Sequence, residues 1–231
     1  MLNNPSKILI YLIIALIIVM GVYYVFSRQN NVRPAVSENI NIATNKDASM
    51  PAPLVILAST TAIEQKRLIA EPIADALARI TKKSFGLKVS PGHSPVSPEK
   101  FSGYHTGVDF ETYPSEQDIA VPIYAICSGK LLIKKTVSGY GGVAVQGCKI
   151  AGLNATVIYG HLKLSSISAK INQELKAGEQ LGLLGQGYSA ETSGERKHLH
   201  LGIHRGTAIN ILGYVQSTEA LKDWLDAAQY L

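Results

Sequence analysis

Apolar and polar positions divide the chain into three stretches that follow different rules. The first is one apolar run: Ile8 to Phe26 contains no charged residue, with Lys7 before it and Arg28 after it. As a helix rising about 1.5 Å per residue it would measure roughly 28 Å, close to the hydrocarbon core of a bilayer. A cleaved signal peptide would carry a shorter apolar core, about 7–15 residues, and a small-x-small cleavage site. This run is longer and ends Tyr23-Tyr-Val-Phe-Ser-Arg28, so it predicts one uncleaved N-terminal transmembrane helix, with residues 1–28 as the anchor. Lys7 precedes the span and Arg28 and Arg33 follow it. The positive-inside count is therefore nearly balanced, and orientation has to come from what the downstream domain does.

The second stretch is polar and aperiodic. Asn, Ser, Thr, Ala and Pro dominate residues 29–61, the composition of a flexible linker. From Ala62 to Ile80 the apolar residues Leu68, Ile69, Ile73, Ala76, Leu77 and Ile80 recur at helical spacing. Pro72 interrupts them, which predicts a broken helix.

After Thr81 the pattern changes again. Short runs rich in Val, Ile, Tyr and Thr alternate with Gly, Pro, Ser and Asn: Phe85–Val89, Tyr104–Phe110, Ile123–Ile126, Gly129–Val137, Gly142–Gln146, Thr156–His161 and His198–His204. This predicts a mainly β fold, an antiparallel β-sheet domain within residues 62–231. Leu221 to Tyr230 reads as a short terminal helix.

Composition narrows the function. With 46% hydrophobic and 17% charged residues the chain is too apolar to be disordered. Its net charge is +5, of which Lys7 and Arg28 contribute two. The remaining +3 carries no Lys/Arg run, so no nucleic-acid partner is expected. Cys127 and Cys148 lack C-x-x-C spacing and a neighbouring histidine, which excludes a zinc knuckle. A disulfide across neighbouring strands, fitting an oxidising exterior, and two buried thiols both stay open.

The candidate chemistry is in the histidines. Strand side chains alternate, so His105, Gly107 and Asp109 share one face, and His198, His200, Gly202 and His204 share another. The intervening residues are apolar apart from Thr106. The glycines on the polar faces predict room for a metal or a substrate backbone. A catalytic zinc takes three protein ligands and keeps one open position; His105, Asp109 and one histidine of the 198/200 pair supply that number. His204 reads as a groove-rim or structural residue. His93, in the turn Ser90-Pro-Gly-His-Ser-Pro95, gets no role.

Gly103-Tyr-His105-Thr-Gly-Val-Asp109-Phe, Tyr159-Gly-His161-Leu and His198-Leu-His200-Leu resemble the three motifs of the lysostaphin/LytM-type zinc metallopeptidases, metallopeptidase family 23. The resemblance runs from about Phe85 to Tyr214. It implies an antiparallel sheet with an open, narrow groove, and one catalytic Zn2+ per chain held by His105, Asp109 and His200. It further implies that His161 and His198 are the unligated catalytic pair, and that the substrate is the stem or cross-bridge peptides of cell-wall peptidoglycan. Arg196-Lys197 before the last motif and Gly202 after it depart from the family pattern, which bears on groove contacts rather than on the metal. The expectation is a membrane-anchored zinc metalloendopeptidase, single-pass, with its catalytic domain outside the cell membrane. The alternatives are a catalytically inactive domain of the same fold that binds wall or regulates other hydrolases, and an intracellular zinc hydrolase. The residues name no protein activator.

Overall fold

The computed structural model describes residues 69–231. The apolar run Ile8–Phe26, the linker 29–61 and the start of the 62–80 stretch lie outside the described residues. Among the described residues no helix is long and apolar enough to cross a membrane.

In chain order the strands are β1 (Lys88–Val89), β2 (Gly103–His105), β3 (Gly107–Glu111), β4 (Pro122–Tyr124), β5 (Gly129–Val137), β6 (Gly141–Ile150), β7 (Leu153–Gly160), β8 (Leu162–Lys163), β9 (Glu174–Leu175), β10 (Gln180–Leu184), β11 (His198–Arg205), β12 (Tyr214–Val215) and β13 (Trp224–Leu225). Every pairing is antiparallel. The main sheet runs β9-β5-β6-β7-β11, and the far edge of β11 is shared by β3 and β13. Two three-stranded sheets, β1-β2-β12 and β4-β10-β8, flank it.

The period-2 patterns decide what each face of the main sheet does. Leu199, Leu201 and Ile203 of β11 join Tyr159, Val157, Val108 and Phe110 in the principal core. The opposite face carries a smaller apolar cluster, Val143, Val145, Ile158, Tyr140 and Trp224. The pairs Val143↔Gly160 and His200↔Gly160 place that cluster on the same face as His200. Cys127 and Cys148 form a disulfide, with Cα atoms 6.1 Å apart. It belongs to the principal core, so it lies on the face away from His200.

Three expectations need correction. Tyr104–Phe110 is two strands rather than one. The Thr106 N–H donates to Gly213 O, and the chain passes there from the β1-β2-β12 sheet to the edge of β11. The 62–80 stretch, as far as it is described, is irregular. Ala70 N–H donates to Ile126 O and Tyr124 N–H to Pro72 O, and only Ala76–Arg79 makes a 3-10 turn. Ile73 and Ala76 are buried while Leu77 is 53% exposed, so the apparent helical stripe does not face one core. The terminal segment is not a helix over Leu221–Tyr230. A single turn, α1 (Thr218–Leu221), is capped by Ser217, and the chain then straightens so that β13 can pair with Ile203–His204. Trp224 and Leu225 are buried against that edge.

Candidate metal centre and groove

Register builds the site. β11 lies between β3 and β7, so His200 faces Asp109 on one side and Gly160 on the other. Glycine is required at two of the surrounding positions. A methyl at Gly107 would sit 2.8 Å from His200 Nε2, and one at Gly160 would sit 2.6 Å from the Tyr140 ring and 3.2 Å from His200 Cβ. The space these glycines leave is thus filled by the His200 imidazole and its neighbour, not by a substrate backbone. A straight strand would hold residues 105 and 109 about 13 Å apart. The change of direction at Thr106 instead brings His105 Nε2 to 3.2 Å from Asp109 Oδ1.

Three atoms then form a nearly equilateral triangle. His105 Nε2 is 3.0 Å from His200 Nδ1 and 3.2 Å from Asp109 Oδ1, and His200 Nδ1 is 3.1 Å from the same oxygen. Ligand atoms at zinc–donor distances of 2.0–2.1 Å in a tetrahedron stand about 3.3 Å apart, so the triangle fits a zinc-sized ion. Proton placement points the same way. Ser84 O accepts from His105 Nδ1 at 3.1 Å, so in the neutral ring Nε2 presents a lone pair. His200 has the Tyr140 hydroxyl 3.2 Å from Nε2, which leaves its Nδ1 free to do the same. Two lone pairs and a carboxylate oxygen then converge in a buried space, an arrangement that a cation resolves. Among the described residues these are the grouped side chains suited to hold a metal.

His161 and His198 lie beside the triangle, with ring centroids 4.2 Å apart. His198 Nδ1 donates to Arg196 O at 2.8 Å, which leaves Nε2 as the free nitrogen, 3.3 Å from Asp109 Oδ2. His161 follows β7 at φ 64°, a left-handed conformation that is uncommon outside glycine. Its Nδ1 is buried with no partner among the described protein atoms.

Electrostatics keep His161 and His200 neutral and the carboxylate charged. Burial, with neighbouring His198, holds the His161 pKa well below its ordinary value. Burial likewise lowers His200 to about 4, against the pull of the nearby Asp109 carboxylate. Burial would raise the Asp109 carboxyl, but the proximity of His198 and His105 outweighs it and holds the pKa well below the usual carboxylate range.

The site opens into a groove of about 440 Å³. Asp109, His161, His198 and His200 line its floor, and Val137–Tyr140 and Ile211–Tyr214 contribute to its walls. Residues 103–211, which carry all five candidate site residues, match the family model described as Peptidase family M23. The matched segment is similar to a peptidase family M23 domain. Solved structures similar to the chain include the catalytic domain of lysostaphin from Staphylococcus simulans, at 20% identity over 68% of this chain and 96% of that one, with a TM-score of 0.44. LytU is 22% identical over 66% of this chain and 90% of its own, with a TM-score of 0.43. A chain of the SpoIIIAH–SpoIIQ complex is 19% identical over 62% of this chain and 96% of its own, also with a TM-score of 0.43. No curated protein matches the chain.

Sequence reasoning about this M23-like domain missed several residues that shape its site. Tyr140 holds His200, and Lys83 donates to the Tyr214 hydroxyl at 2.9 Å on the groove wall. Lys197 is buried with its ammonium on three carbonyl oxygens, of Glu116, Gln117 and Ile119, at 2.7–3.1 Å. It pins the chain one residue before His198. These partners come from separate loops and carry no shared spacing; the Gly-Tyr-Gly turn around Tyr140 was the one visible hint. His204 stays outside the groove, packed edge-on against Trp224 at 4.9 Å. His93 lies exposed in its turn.

Proposed function

We propose that the protein is a membrane-anchored zinc metalloendopeptidase that hydrolyses peptide bonds in cell-wall peptidoglycan, with the M23-like domain on the outer side of the membrane. The observation that carries this reading is the converging triangle of His105 Nε2, Asp109 Oδ1 and His200 Nδ1 next to two further imidazoles on the floor of a groove. His105, Asp109 and His200 would hold the zinc, which when bound polarises a scissile carbonyl and acidifies the attacking water.

The chain's own residues do the rest. His198, its Nδ1 fixed on the Arg196 carbonyl, offers Nε2 as the base that takes the proton of the attacking water. His161, kept neutral by burial, supplies an N–H for the carbonyl oxygen as charge develops on it. The imidazole that gained the proton returns it to the leaving amine. Asp109 remains ionised throughout, and Tyr140 keeps the His200 ring in one orientation. The apolar span Ile8–Phe26 and the Cys127–Cys148 disulfide support an extracytoplasmic location, since disulfides persist in oxidising compartments.

The test is digestion of purified peptidoglycan by the detergent-solubilised full chain with zinc, read by mass as released muropeptides. Cleavage creates one new free amine per bond. Metal-dependent release of such amines is the expected result; its absence with zinc bound favours the non-catalytic wall-binding reading. A reporter fused after Leu231 that is active only in the cytoplasm would reverse the topology.

A further inference from the structure

Arg196 occupies one of the positions where the chain departs from the family pattern, and its contacts lead into the metal centre. Its Nη2 donates to Asp109 Oδ2 at 2.9 Å. Its Nε reaches Glu111 Oε2 at 2.9 Å and Oε1 at 3.0 Å, and Nη2 also bonds Glu111 Oε1. The Arg196 side chain is 11% exposed. Its backbone carbonyl is the acceptor that fixes His198 Nδ1. One residue therefore touches both a candidate ligand and the candidate base.

The two oxygens of Asp109 have separate partners. Oδ1 faces His105 Nε2 and His200 Nδ1, and Oδ2 faces Arg196 Nη2 and His198 Nε2. A carboxylate can ligate a metal through one oxygen or two. An occupied Oδ2 enforces the first mode, which leaves one coordination position for water. Glu111 matters because a bare guanidinium beside the site would repel a cation. The Glu111 carboxylate cancels that charge, so Arg196 acts through geometry rather than net charge. Glu111 is itself placed by the sheet, opposite His198 in the β3–β11 register.

We propose that Arg196, braced by Glu111, is a positioning residue that restricts Asp109 to one-oxygen metal ligation. The proposal rests on the metal-centre reading above. It moves Arg196 from a groove residue to one that governs the metal.

The test uses the full chain in detergent and two variants, with Zn2+ affinity measured by chelator competition and the coordination of Co2+ read from its visible absorption. R196M/E111Q removes the bridge without leaving a lone buried charge, since Lys82, 3.6 Å from Glu111, is exposed to solvent. Arg196→Lys keeps the charge but loses the planar fork. The wild type is expected to give the intense bands of four-coordinate Co2+. The double variant should bind Zn2+ about 10–100-fold more weakly, the usual scale for loss of an outer partner, with Co2+ bands weakened toward the five-coordinate form as Asp109 turns in its second oxygen. Arg196→Lys should shift in the same direction by less, and it carries the test if the double variant does not fold. Wild-type affinity and an unchanged spectrum in a folded variant would overturn the role of Arg196 alone. A wild-type protein that takes up neither ion would overturn the metal centre itself and this role with it.

Discussion

The two faces of β11 are equally buried and chemically opposite. Leu199, Leu201 and Ile203 are 0–1% exposed, and His198 and His200 on the other face are 3–4% exposed. On the first face burial is favourable in itself, because apolar surface leaves water. On the second it costs free energy for every polar atom that lacks a partner. His198, His200 and Asp109 offset this by bonding Arg196 and Tyr140, while His161 Nδ1 has no partner among the described residues. Burial therefore does not separate core from site on this strand. What each buried atom bonds to does.

The sharpest test of the contrast is on the histidine face. His105→Ala, Asp109→Ala or His200→Ala should abolish both zinc binding and turnover. His161→Ala and His198→Ala should retain about one zinc per chain and lose turnover by a factor on the order of 10² or more. Metal analysis beside hydrolysis rates checks this, and loss of zinc by His198→Ala but not by His200→Ala would exchange the two roles. On the leucine face, Leu199→Ala or Leu201→Ala should cost roughly 2–5 kcal/mol of unfolding free energy. Denaturant titration would show it, and a cost near zero would remove the distinction between the faces.

Acidity offers a third test. His200 has its pKa lowered to about 4 on folding, so below the unfolded value near 6.5 the unfolded state binds the proton first. Its contribution is intact above pH 6.5 and falls away as the pH drops toward 4, by about 3 kcal/mol in metal-free protein. Urea midpoints across that range should show the decline, and His200→Leu should flatten that part of it. The smallest effect is expected from Tyr140→Phe, which removes the hydroxyl beside His200 Nε2. Zinc affinity should weaken about 10-fold, at the lower end of the scale for such partners, with unfolding free energy little changed.

The legibility of the molecule follows the same division. β5 was predicted over its observed residues, and β11 to within one, because apolar, β-prone runs bounded by turn residues are a property of the strand itself. His105, Asp109, His198 and His200 were readable on polar strand faces and His161 through the motif resemblance, and the structure brings all five together. The break at Thr106 was not readable, since it answers to a carbonyl at Gly213 more than 100 residues away. β8, β9, β12 and β13 are two-residue pairings defined only by their neighbours. The roles of Arg196 and Lys197 were hidden for a similar reason: a basic pair in sequence does not reveal that one member reaches Asp109 and the other the 116–119 carbonyls.

The place of β11 between β3 and β7 also sets an order in time. During synthesis the hairpins β5–β6 and β6–β7 close over turns of a few residues, so they can form early. The triangle cannot, because His200 lies 95 residues after His105 and 91 after Asp109. Non-local pairing of this kind is slow, on the millisecond-to-second scale in β-rich domains. A chain made only as far as Gly160 therefore holds the β5–β6–β7 meander but not the triangle, and the candidate metal centre is assembled only when the eleventh strand docks.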